Sequence, residues 1–488
     1  MVFATLGTDR AMRKETAVRY MHTMWVVLGI LATSSGAGDA VGWRTDGTGV
    51  YPDAEPPTNW SAESNIVWKT PMPAESNASP IVVGERLFVC ADPAELICLS
   101  AADGRVLWTK SNHYFEMMTP EQIARAKQDI ATGEAIKKTL AKANAAMNKV
   151  RRPLNQKLKE QKQKPDDAAL AAEVERLKKQ LEAAQAEVKR IKDELAPYRT
   201  YMLPDHHQVT GLSSPTPTSD GQHVYVLTAL GTVGCYDLDG NRRWLRLVAK
   251  GPGGYGMSAS PLLAGDKLLV QIANQYYALN VADGTTAWTL KSPLRYGSPV
   301  AARVGDVPVA VTANGEILRM ADGHVLAKGL AKLTYNAPIV VDGVVYFVDP
   351  EVKAYRLPAT AAEPFEPQPA WDQKVTINKD RYYASPVCAD GLLYALNQKG
   401  ILSVLDAKTG RLVYEQKLKL AKTSYPSLTI AGRYVFASAD AGTTVVFEPG
   451  RHYREVAANR LERFRSTPVF VAKRLYIRGL KHLYCIGQ

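Results

Sequence analysis

The sequence predicts an all-β fold, an eight-bladed β-propeller of four-stranded blades, interrupted by one α-helical antiparallel coiled-coil hairpin. Three observations predict it. A short unit recurs eight times. Within each unit apolar residues alternate with a period of two, as in strands. One interval between units is far too long, and its excess has helical periodicity. The chain has 488 residues, of which 46% are hydrophobic and 22% charged, enough to bury a large core.

Each unit opens on a Ser/Ala-Pro pair or a close variant. The units begin at Ala78, Ser213, Ala259, Gly297, Ala337, Ala384, Tyr425 and Ser466. A first strand, a glycine turn (Gly84, Gly221, Gly265, Gly343, Gly391, Gly432) and a second strand follow. A third strand such as ELICLS or LYCIG then leads to a second turn, usually Asp-Gly. The fourth strand carries an aromatic residue at Trp108, Trp244, Trp288, Trp371 and Tyr414, and the units at Gly297 and Tyr425 are degenerate. Four short strands in a period of roughly forty residues describe a propeller blade. The last unit ends at Gln488 after its third strand, and its missing fourth strand recurs as NIVWKT around Trp68. Blade eight is therefore expected to combine residues 465–488 with 65–70, which leaves no open seam.

The long interval separates Pro80 from Pro215, and here the helical pattern starts at Thr119-Pro120-Glu121-Gln122, a capping box with proline at the first helical position. Gly133 is expected to end a short first helix. Residues 134–163 and 167–196 then form two arms, with Asp166 as N-cap of the second and Pro153 kinking the first. The second arm has a heptad seam, Leu170, Val174, Leu177, Leu181, Ala184, Val188, Ile191 and Leu195. Arms of this size project about 45 Å. The hairpin reads equally as a partner-binding or dimerisation arm and as a spacer. The formal charge of the chain is +12, and residues 119–200 hold 19 Lys+Arg against 12 Asp+Glu.

The N-terminus has the layout of a signal peptide over residues 1–38. Arg10, Arg13, Lys14 and Arg19 precede the apolar run Trp25 to Ala32, and small residues follow. The run is short for a membrane span. The domain order expected is signal peptide 1–38, lead-in 39–64, closing strand and blade one 65–111, helical insertion 112–209, and blades two to eight 210–488. A periplasmic or secreted location follows.

Five cysteines without a CxxC pair are not a disulfide framework. Cys98, Cys235 and Cys485 share a repeat position held elsewhere by Ala or Val, so they read as core residues. A Cys90–Cys98 disulfide across one hairpin stays open. No GxSxG, HExxH, P-loop or EF-hand pattern occurs. His206-His207 lacks the further ligands a metal needs, so no metal site and no catalytic residue is assigned.

The residue three before each proline should face one mouth of the central channel. These are Asn77, Leu212, Ser258, Tyr296, Tyr335, Tyr383 and Arg465, with Ser424 in the degenerate unit. Tyr255, Asn336, Arg295, Arg381, Tyr382 and Tyr425 lie close by. The candidate ligand or partner surface is thus Arg295, Tyr296, Tyr335, Asn336, Tyr382, Tyr383, Tyr425 and Arg465. Packing between blades is the alternative role for these aromatics.

The strand ends AADGRVLW (Ala101 to Trp108) and VADGTTAW (Val281 to Trp288), and the stretch Ser213 to Trp244, resemble the PQQ-like (pyrroloquinoline-quinone-like) propeller repeat. The lead-in from Trp43 looks like that of secreted members. The resemblance covers nearly the whole chain beyond the leader, except the hairpin, and specifies fold better than function. It implies two branches. One holds quinoprotein dehydrogenases with PQQ and calcium on the axis; its alcohol branch commonly has a vicinal disulfide, which this sequence lacks, and no set of calcium carboxylates carries over. The other holds outer-membrane protein assembly propellers, non-enzymatic scaffolds that bind partner proteins and are often lipoproteins; no lipobox cysteine is present here. The expectation is a non-enzymatic envelope scaffold with protein partners. No cofactor, nucleic-acid binding or integral membrane segment is expected. The alternatives are a PQQ- and calcium-dependent oxidoreductase and an envelope glycan-binding module.

Overall fold

The computed structural model describes residues 41–487. The expected signal peptide, and the first residues of the lead-in, lie outside them. The fold is mostly β, built from sheets of four antiparallel strands in sequential order, consistent with a β-propeller. Among the described residues there are eight such sheets. Sheets 1 to 6 occupy 81–111, 218–247, 262–291, 300–327, 339–376 and 387–417. Sheet 7 (429–460) gains the lead-in strand Val50–Tyr51, which pairs in parallel with Ile430 and Ala431. Sheet 8 (469–486) takes Ile66–Pro71 as its fourth strand, with Trp68 opposite Cys485. The two ends of the sequence therefore share one sheet.

Neighbouring sheets are joined by a repeated contact. Trp68, Trp108, Trp244 and Trp288 on the outer strand of one sheet, and Trp371 between the short strands Gln368–Pro369 and Val375–Thr376, donate their indole N–H to a carbonyl of the next sheet. The acceptors are Ala101, Leu238, Val281, Met320 and Ala407, at 2.8–3.2 Å. The ring lies over the turn glycine of the acceptor sheet. At Gly284 (φ +73°) an added Cβ would sit 2.6 Å from the Trp244 ring, so this turn requires glycine twice over. Under three of these rings lie Cys98, Cys235 and Cys485, each opposite its tryptophan in register. All five cysteines are free and buried. Cys90 faces Leu96 and Cys98 faces Phe88, so the strand register keeps the two thiols off one another's positions and no disulfide joins them.

The insertion is helical but differs from the expected limits. Helix α1 (Pro120–Gln163) runs unbroken through 44 residues, with the Thr119–Gln122 capping box in place. Gly133 does not end it. An added Cβ there would meet Met202 Sδ at 2.5 Å, so glycine permits close packing inside the helix rather than terminating it. α1 is consequently about 66 Å long, not 45 Å. Helix α2 (Ala168–Leu195) is capped by Asp167, not Asp166, whose neighbour's side chain accepts from the Leu170 N–H at 3.0 Å. Leu140 and Met147 pack with Val188, Ile191 and Leu195, and Leu154 with Val174 and Leu177, the pattern of an antiparallel pair.

Candidate functional site

Side chains two residues apart on a strand leave the same face. On the extended segments that lead into the innermost strands this builds two tiers around one cavity of about 620 Å³. The lower tier is a belt of hydroxyls. Each accepts the backbone N–H of its counterpart in the preceding sheet: Ser79 N–H to Thr216, Thr216 to Ser260, Ser260 to Ser298, Ala337 to Ser385, Ser385 to Ser427, and Ser427 to Thr467, at 2.9–3.2 Å. Thr467 N–H then donates back to Ser79 Oγ at 2.8 Å. The belt is interrupted only between Ser298 and Ala337, where alanine supplies no hydroxyl.

The upper tier lies two residues earlier: Asn77, Ser214, Ser258, Tyr296, Tyr335, Tyr383, Tyr425 and Arg465, all of which line the cavity. Two of the expected mouth residues are corrected. In the second unit the pair in register is Thr216-Pro217, not Ser214-Pro215, so Ser214 faces the cavity and Leu212 is buried elsewhere. In the seventh unit Leu428 stands where the others have proline, so Tyr425 takes the mouth position and Ser424 is buried.

The rings form an arc. Tyr255 meets Tyr296 edge-on at 6.5 Å, Tyr296 stacks on Tyr335 at 6.1 Å, and Tyr335, Tyr383 and Tyr425 follow at 4.5 and 4.9 Å. Arg465 lies over Tyr425 and closes the arc. Its Nε pairs with Asp440 at 2.8 Å and its Nη1 donates to the carbonyls of Gln208 and Val209. His207, at the other end, stacks on Tyr255 at 4.6 Å and accepts the Val209 N–H at Nδ1. Burial, reinforced by neighbouring phenols, raises the Tyr296 and Tyr425 hydroxyls above their ordinary range, which keeps them protonated donors at neutral pH.

Of the eight candidate residues, five meet in this cavity: Tyr296, Tyr335, Tyr383, Tyr425 and Arg465. Three do not line it. Arg295 Nε is taken by Asn314 Oδ1, Asn336 is buried and donates to the Val348 carbonyl, and Tyr382 is buried with its hydroxyl on the Asn378 carbonyl. These three neighbour mouth residues in sequence, and strand alternation turns them away. Trp43 was not expected at the site. It belongs to the lead-in, which bridges to Ser219 at Val41 and to sheet 7 at Val50, and it lines both this cavity and a second one of about 780 Å³. The next residue, Arg44, is wholly buried and donates to the carbonyls of Pro386 and Leu428, which fixes the lead-in between sheets 6 and 7.

The cavity offers phenols, hydroxyls, Asn77, the His207 imidazole, the Trp43 ring and the cations Arg381 and Arg465. Among the described residues no Asp, Glu or Cys lines it. Calcium needs several oxygen ligands with carboxylates among them. Among the described residues no cluster of three His, Cys, Asp or Glu side chains is spaced for a metal. The donor set thus does not fit a calcium-held quinone.

The chain is matched by the model of the family described as outer membrane protein assembly factor BamB, over residues 58–148, 187–329 and 293–486. No curated protein sequence matches it. Among solved structures it is similar to a europium-containing methanol dehydrogenase, at 12% identity and a TM-score of 0.52 over 90% of each chain. It is also similar to the quinohemoprotein alcohol dehydrogenase of Comamonas testosteroni, at 10% identity and 0.52, over 92% of this chain and 80% of that one. BamB from Moraxella catarrhalis matches at 15% identity and 0.44, over 56% of this chain and 81% of that one. At such identities the two dehydrogenases speak for the fold alone. The family match extends over well more than half of the sequence, and the chain belongs to the family of the outer membrane protein assembly factor BamB.

Proposed function

We propose that the eight sheets close into one eight-bladed ring, and that the protein is an exported, non-catalytic scaffold binding protein partners in the cell envelope. Two links support the closed ring: the Thr467 to Ser79 hydrogen bond, and Trp68 donating from sheet 8 to sheet 1. The observation that carries the binding role is the arc from Tyr255 to Arg465. Tyrosines supply apolar contact area and a hydroxyl together at low conformational cost, and arginine adds a fixed fork of donors. Such a lining suits an extended polypeptide carrying acidic or amide groups. It holds no carboxylate for a calcium site, and its one imidazole, His207, has Nδ1 engaged by the Val209 N–H. The role that gives the family its name, assembly of outer-membrane proteins, agrees with this reading.

The test places a photo-crosslinking amino acid at Tyr335 or Tyr383 in the exported chain and compares Tyr425→Ala in the same background. A discrete protein adduct that weakens in the Tyr425→Ala variant is expected. Saturable micromolar binding of PQQ with excess calcium, seen by calorimetry in a protein giving no adduct, would overturn the scaffold in favour of a quinoprotein.

A further inference from the structure

The charge of the insertion is divided unequally between its helices. α2 holds six basic and six acidic residues, whereas α1 holds 11 basic and 4 acidic. On α2 the acids are spent locally: Arg176, Lys178, Lys189 and Arg190 each pair with a carboxylate three or four positions away. On α1 five cations, Lys138, Lys142, Lys149, Arg152 and Lys159, are exposed, and none is ion-paired among the described residues. At 100° per residue they fall within an arc of about 100°, opposite the buried Leu140, Met147 and Leu154. They extend over about 32 Å of a straight element. Between Lys138 and Lys164 the sole acid is Glu160.

We propose that this stripe docks the hairpin, lengthwise, on the anionic phospholipid surface of a membrane. A straight row of unpaired cations matches a flat field of phosphates, and each adds a comparable increment of attraction. The arc of helix between Lys138 and Lys159 holds no apolar residue larger than Ala141 and Ala145 to insert, so the contact is peripheral and screened by salt. A nucleic acid fits less well. From Thr119 to Pro197 there is no Phe, Tyr or Trp to stack on a base. The inference does not depend on what the axial cavity holds.

Vesicle flotation of the full chain tests it, using phosphatidylcholine alone and phosphatidylcholine mixed with phosphatidylglycerol. Binding is expected only to the mixed vesicles, and is expected to disappear at high salt. Changing the five stripe residues to Gln should weaken binding by at least about a hundredfold, given the increment per cation. Changing Arg176, Lys178, Lys179, Lys189 and Arg190 of α2 to Gln removes the same formal charge and should leave it within a few-fold. Gln is a good helix former, and helical circular dichroism checks that both variants fold. Equal losses in the two variants would reduce the effect to net charge and overturn the stripe. An unaffected stripe variant would assign binding to another part of the chain. Preferential binding of duplex RNA over the mixed vesicles would overturn the lipid surface in favour of nucleic acid.

Discussion

At the scale of single residues, a partly buried charge is placed where several donors converge. Glu462 follows the fourth strand of sheet 7 and reaches into sheet 8. There it accepts from the N–H groups of Lys481 and His482 at 2.8 and 2.9 Å, and its other oxygen meets His482 Nδ1 at 2.8 Å. Burial opposes its ionisation, but these hydrogen bonds outweigh burial and hold its carboxyl below the ordinary range. A carboxyl whose folded pKa is depressed adds stability above its unfolded value near 4.5, and loses it as pH falls through the folded value. Wild-type melting temperature should therefore drop in acid, below about pH 4.5, with a component missing from Glu462→Gln. Parallel melting curves for the two proteins from neutral pH into acid would sink this. Residue placement was only partly legible beforehand. Tyr296, Tyr335, Tyr383 and Arg465 followed from counting back from proline. Asn336 and Tyr382, one residue off that count, did not, because a one-residue step reverses the face. Ser214 was readable from the second Pro of SSPTP, which restores the spacing of the other units.

At the scale of elements, the hairpin and the sheets draw on separate cores. Ile191 and Val188 pack only within the helical pair and on Met202, away from the sheet clusters. Truncating Ile191 to Ala should cost about 2–4 kcal/mol, the usual price for a buried aliphatic side chain. The loss should stay local: amide exchange should quicken through α1 and α2 while the strands of sheet 6 keep their protection. Equal quickening in sheet 6 would mean that the hairpin and the propeller unfold as one unit. The heptad seam of α2 announced this core in the sequence. The continuity of α1 did not, because Gly133 carries a low helix propensity and its compensating contact, Met202, lies 69 residues further along.

At the scale of the whole molecule, strand pairing alone leaves each sheet independent; apolar clusters shared by neighbouring sheets couple them, as where Phe88 meets Val224 and Val226 or Tyr394 meets Phe447, and the tryptophan contact and the hydroxyl belt add directed bonds. The Trp68 strand was legible because the repeat lacked a fourth strand at its end. The belt was hidden, since Ser and Thr before proline look like turn residues until the strands are set side by side. Thr467 is its best probe. Its Oγ1 accepts from Ser427 N–H at 3.1 Å, and its own N–H reaches Ser79 at 2.8 Å across the point where the chain ends meet. Thr467→Val keeps the volume and the second bond but leaves the Ser427 N–H buried without an acceptor. That should cost about 1–3 kcal/mol. Thr218→Val is the control: Thr218 is buried two residues beyond the belt residue Thr216, and its hydroxyl serves only the Val41 carbonyl. If the belt couples the sheets, Thr467→Val should lower the midpoint of urea unfolding more than Thr218→Val, while the transition stays single and its slope unchanged. A transition that splits in two would show instead that sheets 7 and 8 are held to sheet 1 chiefly by this link, with the rest of the ring unfolding separately.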